Sequence, residues 1–257
     1  MNGRSERRAS PGGHGAPPSV SAKRRWLLWG VAALAASLVA ISAASQDRPR
    51  LIVYLQTQVR ARALEAMLAR QMPMVDVIVC GRYRDFTKEL ATSPEAALSL
   101  PTVLRAHGLT LDLKAVRAGQ ESEAYVLLSI GKPVDKEHFP ALVVGAVDLL
   151  GRDGTADFVA TLLGLESPPP EIKYVIKSED LLPLLQFQSA EAVVLPEQEA
   201  ARIKSLSKLD LKVTPLPTRV GLPAVSFRSE ASKRLIGPLI IALDAETQSK
   251  LGVDAWH

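Results

Sequence analysis

A single cysteine, Cys80, excludes an intrachain disulfide. It follows the apolar run 75–79, where a thiol is expected to pack as a small buried hydrophobe. Histidine is scarce too. After residue 45 the chain offers only His107, His138 and His257, and no spacing among them matches a metal site or a nucleophile triad. His107, beside Gly108 at an expected helix end, reads as structural, with a cation favoured there by the helix dipole. His138, in a polar loop, reads as surface. Gly-x-Ser-x-Gly and His-Glu-x-x-His are both absent. The stretch Gly-Arg-Asp-Gly-Thr at 151–155 lacks the Gly-Lys-Ser/Thr ending of a phosphate-binding loop. Asp148 and Asp153 bracket an expected turn without forming an acid–base pair. These absences argue against an enzyme, a metal and a cofactor. A basic body is missing as well. The formal charge is +4, but residues 1–45 hold six Lys/Arg and one acid, which leaves 25 basic and 26 acidic residues for 46–257. A near-neutral body lacks the charge that phosphate-backbone binding requires, so nucleic acid is excluded as a partner.

Charge is also absent from residues 26 to 45, a run of 20. Residues 1–22 are rich in Gly, Pro, Ser and Arg, a composition that predicts disorder. Lys23-Arg24-Arg25, the apolar run, the small residues 42–45 and then Gln46-Asp47 have the order of a secretory signal. Residues 24–28 also match the twin-arginine pattern loosely. The run is longer than most cleavable signals and about as long as a bilayer span. Its many Ala, Ser and Gly residues favour cleavage near 44–46, with an uncleaved membrane anchor as the rival. Either route delivers the body across the membrane to the periplasm. No cysteine follows the run, so a lipoprotein anchor is excluded.

From Leu51 onward, short apolar runs alternate with helical patterns. Strands are expected at 51–55, 75–80, 96–100, 111–116 and 125–130, with helices at 60–71, 85–91 and 101–107. The second stretch repeats this grammar. Strands are expected at 141–147, 173–176, 191–195, 209–216 and 222–227, and helices at 155–165, 180–186, 197–206 and 229–243. Strands alternating with helices predict an α/β chain with largely parallel sheets.

The order of several segments carries a resemblance. A strand with a polar loop leads through a helix to a strand ending in Val-Ile-Val-Cys at 77–80. Next come Ser-Pro-Glu-Ala-Ala-Leu-Ser-Leu-Pro at 93–101 and a strand pair around 123–129. Val-Gly-Ala-Val-Asp at 144–148 then runs into Gly-Thr-Ala-Asp-Phe at 154–158. Later segments are Ser-Glu-Asp-Leu-Leu at 178–182, Ala-Glu-Ala-Val-Val at 190–194 and Gly-Leu-Pro-Ala-Val at 221–225. Over roughly residues 50–230 this order resembles the type II periplasmic solute-binding proteins, in particular the phosphate, phosphonate and sulfonate receptors of ATP-binding cassette (ABC) importers. The body departs from that family in being short, about 210 residues, and in having only 5% aromatics.

The resemblance implies a two-lobed α/β fold, each lobe a mostly parallel sheet flanked by helices, preceded by the signal or anchor helix. The expected division is a leader at 1–45, a first lobe at 49–128 completed by 223–257, and a second lobe at 129–222. Ligands of such folds sit beyond the carboxyl ends of the strands, between the lobes. The loops there offer Gln56 and Thr57 after the first strand, and Ser99 and Thr102 around Pro101. In the second lobe they offer Arg152, Gly154 and Thr155. Free N–H groups at helix starts suit an oxyanion, although Ser99 and Thr155 also fit simple helix caps. The expected function is a receptor that closes on a small oxyanion, phosphate- or phosphonate-like, and passes it to an ABC permease. The alternative is a membrane-tethered sensor or scaffold of the same fold.

Overall fold

Leu51, Ile52 and Val53 are fully buried and Tyr54 nearly so, which is what a strand covered on both faces requires. They lie in β1 (Arg50–Tyr54), the first element of the computed structural model, which describes residues 48–257. The expected leader lies outside the described residues. Among the described residues, no helix is long and apolar enough to cross a membrane.

β1 leads to α1 (Ala61–Gln71), β2 (Asp76–Val79), α2 (Tyr83–Leu90), β3 (Ala96–Ser99), α3 (Pro101–Ala106) and β4 (Leu113–Val116). Pro101 opens α3, where its missing N–H costs nothing. The chain then crosses into β5 (Ser122–Ile130), β6 (Val143–Val147), α4 (Gly151–Leu163), β7 (Glu171–Val175), α5 (Leu181–Gln186), β8 (Ala192–Pro196), α6 (Glu197–Leu206) and β9 (Leu211–Gly221). It returns through β10 (Ala224–Phe227), α7 (Glu230–Ile241), α8 (Ala245–Lys250) and β11 (Ala255–Trp256).

The strands form two sheets, in the orders β11-β4-β10-β3-β1-β2 and β7-β6-β8-β5-β9. In the first sheet β1 runs parallel to β2 and β3, and β10 is antiparallel to β3 and β4. In the second, β6 is parallel to β7 and β8, while β5 is antiparallel to β8 and β9. Each sheet has its own apolar cluster: Leu64, Leu68 and Ile236 lie in the first lobe's, and Leu181, Leu195 and Ile203 in the second's. A further cluster runs from Ile52, Tyr54 and Phe86 through to Tyr125, Phe158 and Leu162, so buried apolar surface joins the lobes.

Three expectations are corrected. β5, which straddles the expected lobe boundary at 128–129, pairs with β9 from Ser122 to Ile130 and with β8 from Tyr125 to Ser129, so the chain crosses at 117–121. The helix expected at 155–165 begins at Gly151: the Gly-Arg-Asp-Gly stretch is its first turn, not a preceding loop. The helix expected at 229–243 stops at Ile241, and a second short helix starts at the Asp244 cap, whose carboxylate accepts from Thr247 N at 2.7 Å.

The two crossings lie side by side. At the first, Arg117 and Gln120 exchange both backbone hydrogen bonds at 2.9 Å around Ala118 and Gly119, whose φ values of 48° and 74° fit a tight hairpin turn. At the second, Leu222 N donates to Glu121 O at 2.8 Å, and Gly221 packs so closely on α3 that a Cβ there would come within 2.8 Å of Pro101.

Candidate functional site

The loop after β1 holds polar side chains at the end of a fully buried strand. Leu55 to Val59 line a cavity of about 670 Å³ between the lobes, within the range of small-molecule sites. The second lobe contributes Tyr125, Ala146, Leu149 and Phe158, together with Pro196 and Glu199 around the start of α6. The crossings add Arg117, Glu123 and Leu222, and the segment after α8 adds Leu251 and Gly252.

Contacts between the lobes flank this space. Gln58 Nε2 donates to Glu199 Oε2 at 3.2 Å. Tyr54 Oη donates to the Asp148 carbonyl at 3.1 Å, and Gln56 Nε2 reaches Tyr54 Oη at 3.4 Å. Tyr83 of α2 lies against Gly151 of α4. The Gln58–Glu199, Tyr54–Asp148 and Tyr83–Gly151 contacts each join residues of different lobes, so separation of the lobes breaks all three.

The cavity's charges are paired. Arg202 forks onto Glu199, with Nε 3.0 Å from Oε2 and Nη2 on Oε1. Burial works to raise the Glu199 carboxyl, but the hydrogen bonds and charge of Arg202, helped by Gln58 and Ser178, hold it below its ordinary value. Arg117 Nη2 donates to Glu123 Oε2, and Arg117 Nη1 to the Gly252 carbonyl at 3.2 Å. At Glu123 burial wins over the Arg117 bond and raises the carboxyl above its usual range. Lys250 also lines the cavity and forms no ion pair among the described residues. The cavity thus holds three cations and two carboxylates beside the apolar parts of Tyr125, Leu149 and Phe158.

Of the residues expected at the site, Gln56 and Thr57 line the cavity; Ser99, Thr102, Arg152, Gly154 and Thr155 are not among its lining residues. Ser99 is fully buried at the end of β3, and its hydroxyl donates to the Tyr54 carbonyl at 2.6 Å, tying two strand ends together. Thr102 is a half-buried residue in the first turn of α3. The Arg152 side chain points to solvent with its guanidinium 5.9 Å from the Tyr174 ring centre. Gly154 packs on Leu150, which lies 2.9 Å from where a Cβ would stand. Thr155 is fully buried inside α4; its hydroxyl accepts from Leu150 N at 2.9 Å and donates to Asp148 Oδ1 at 3.2 Å.

The residues that sequence reasoning missed are the charged ones: Arg117, Glu123, Glu199, Arg202 and Lys250. Glu199 and Arg202 have the i,i+3 spacing common to surface pairs on helices, and Arg117 stands beside a tight turn, so neither carries a local signal of a site. His107 is a packed residue at a helix end, as expected, but its charge state differs from the expected one. It packs on the Tyr83 and Phe86 rings, and burial lowers its pKa, favouring the neutral imidazole over the expected cation. Cys80 is buried as expected, and burial pushes its thiol up to about 12, which makes it a poor nucleophile.

No family model matches the chain, and no curated protein matches it. Solved structures do. The arginine-bound form of truncated ArgBP from T. maritima aligns with 77% of this chain and 97% of its own, at 16% identity and a TM-score of 0.53. The periplasmic VFT2 domain of Bordetella pertussis BvgS covers 80% of this chain and 93% of its own, at 13% identity and a TM-score of 0.51. XAC2383 from Xanthomonas citri, bound to ATP, covers 81% and 90%, at 9% identity and a TM-score of 0.55. At these identities the likeness concerns the fold, which is that of the two-lobed periplasmic binding proteins.

Proposed function

We propose that the protein is a receptor that closes its two lobes on a small solute. The observation that carries this reading is the cavity between the lobes, lined from both sides and flanked by hydrogen bonds from one lobe to the other. A solute seated there gains contacts that exist only in the closed arrangement, and so it favours closure by its differential affinity for that state. The solute is a small organic molecule bearing an oxyanionic group. The surplus of Arg117, Arg202 and Lys250 over Glu123 and Glu199 supports the charge, and Leu149, Phe158 and Tyr125 support an apolar part. Thr102, Arg152, Gly154 and Thr155, at the starts of α3 and α4, do not line the cavity, so the positive side chains are left to receive the anion. Delivery of the solute to an ABC permease rests on the segment order at 50–230 and on export by the leader to the periplasm. A membrane-tethered sensor or scaffold of the same fold is the competing role.

A thermal-shift panel on the full chain tests the reading, with phosphate, phosphonates, sulfonates, carboxylates and amino acids as probes. A solute at 100 times its dissociation constant adds about 2.7 kcal/mol, a rise on the order of 5–10 °C for a domain of this size. A shift confined to one anion class supports the receptor and identifies its chemistry. A flat panel from a folded protein counts against it and favours the scaffold.

A further inference from the structure

Resting on the receptor reading, we propose that Arg117 receives the solute's anionic group, held ready for it by Glu123 on one side and the Gly252 carbonyl on the other.

The three cations of the cavity are not equivalent. Arg202 spends its Nε and Nη2 on Glu199, three residues earlier on the same helix, in a complete fork-to-fork pair. Lys250 ends α8 with an exposed side chain, a mobile point charge without a fixed direction. Arg117 differs from both. Its side chain is 23% exposed, and two of its five N–H groups are taken, one by Glu123 and one by Gly252. The remaining donors keep the flat geometry that fits a carboxylate or phosphonate.

The surrounding charge favours the same residue. Glu123 bonds Arg117 and also feels the charge of Arg219, which is itself fixed by donating to Ser122 Oγ at 3.0 Å and to the Ser122 carbonyl at 2.6 Å. Glu123 is thus shared between two guanidinium groups, while the Asp254 carboxylate is taken by the Ala118 N–H. At the other end, Glu199 and Glu179 face Arg202 and leave no surplus cation.

Position completes the case. Arg117 opens the hairpin turn at the crossing, and its guanidinium grips β5 of the second lobe and the Gly252 carbonyl behind α8 of the first. Asp254 Oδ2 accepts from Ala118 N at 2.7 Å and braces the turn from the same side. An anion on Arg117 therefore lies against both lobes at once.

The test uses phenylphosphonate, phenylacetate and the neutral phenylacetamide, with titration calorimetry on the full chain. The wild type is expected to bind a charged probe about tenfold or more tighter than the amide, the scale of one charge-assisted hydrogen bond. Arg117→Gln is expected to bring the charged probes to the amide's affinity and leave the amide within about twofold, the error of such comparisons. Glu123→Ala, which frees the guanidinium to swing, is expected to lose part of the discrimination, and Glu123→Gln to restore it. Equal binding of phenylacetate and phenylacetamide by the wild type overturns the role of Arg117 and leaves the receptor standing. Parallel weakening of all probes by Arg117→Gln also overturns it and makes the residue a strut between the lobes. If none of the three probes binds the wild type, the anion assignment falls, and the receptor reading is judged on the wider panel. Should Arg117→Gln fail to fold by circular dichroism, Arg117→Lys decides: an undiminished preference for the charged probes contradicts the need for the planar fork.

Discussion

The loops that follow β1 and β6 occupy corresponding places in the two lobes, each beyond a buried strand that runs parallel to its neighbours. Both carry polar side chains, and the two sets end in opposite situations. After β1, Gln56 and Thr57 stand in the cavity, and α1 begins at Arg60 with no side-chain cap. After β6, Asp148 and Thr155 are spent on each other and on Leu150 N, inside the lobe. A polar residue at a strand end can serve the fold or a ligand. Which it serves depends on whether a backbone group nearby needs it: Leu150 N has no other partner, whereas Thr57 Oγ1 makes only a local bond to the Val59 carbonyl at 3.1 Å.

The largest consequence falls on the second loop. Thr155→Val leaves Leu150 N unpaired in a partly buried position, which is expected to cost about 1–3 kcal/mol. At roughly 2–4 °C per kcal/mol for a domain of this size, the melting temperature should fall by several degrees. Below that temperature the affinity for any solute that shifts the wild type is expected to stay unchanged. A fall in affinity without a fall in melting temperature would move Thr155 back into the site.

The reverse pattern is expected of the first loop. Thr57→Val should alter stability by no more than about 0.5 kcal/mol. Calorimetry on the same solute should show a roughly three- to tenfold weaker complex, the range of one hydrogen bond. Unchanged binding would remove Thr57 from the site and erase the contrast between the loops.

A gentler probe uses the missing cap. Arg60 has the extended backbone of an N-cap, so Arg60→Ser can offer its hydroxyl to the first turn of α1. A gain of about 0.5–1 kcal/mol in chemical denaturation is expected. A loss would mean that the Arg60 stem is packed where the loop requires it.

The smallest effect is on pH dependence. The Glu199 carboxyl is lowered from its ordinary 4.5 in the folded protein. Its contribution is therefore fully present above about pH 4.5 and is lost as the pH falls through the lower folded value. Glu199→Gln should flatten the acid side of the stability curve, and an identical curve for the variant would show that the pair with Arg202 contributes nothing.

The residues that made the fold legible are those buried on both faces, because unbroken apolar runs such as 51–54 fit few elements other than an inner strand. What escaped is the C-terminal end. α8 has six residues and β11 two, and β11 exists only because Ala255 and Trp256 pair with the edge of β4. No local pattern announces such a strand. The lining of the candidate cavity was legible where neutral polar residues interrupt an apolar context, at Gln56 and Thr57. It was illegible where charge did the work. Arg117 and Glu123 sit in a run, Arg-Ala-Gly-Gln-Glu-Ser-Glu, that reads as a solvated turn, and the carbonyl that holds Arg117 lies 135 residues away. Only the fold as a whole brings Arg117 and Glu123, at the two ends of this exposed turn, to the lining of the cavity.

Hydrogen–deuterium exchange of the full chain, with and without whichever panel solute raises the melting temperature, tests the central claim most directly. The account predicts new protection in 55–59, 117–123 and 196–202, with residues 151–155 unchanged. Protection at 151–155 with 55–59 unaltered would contradict it.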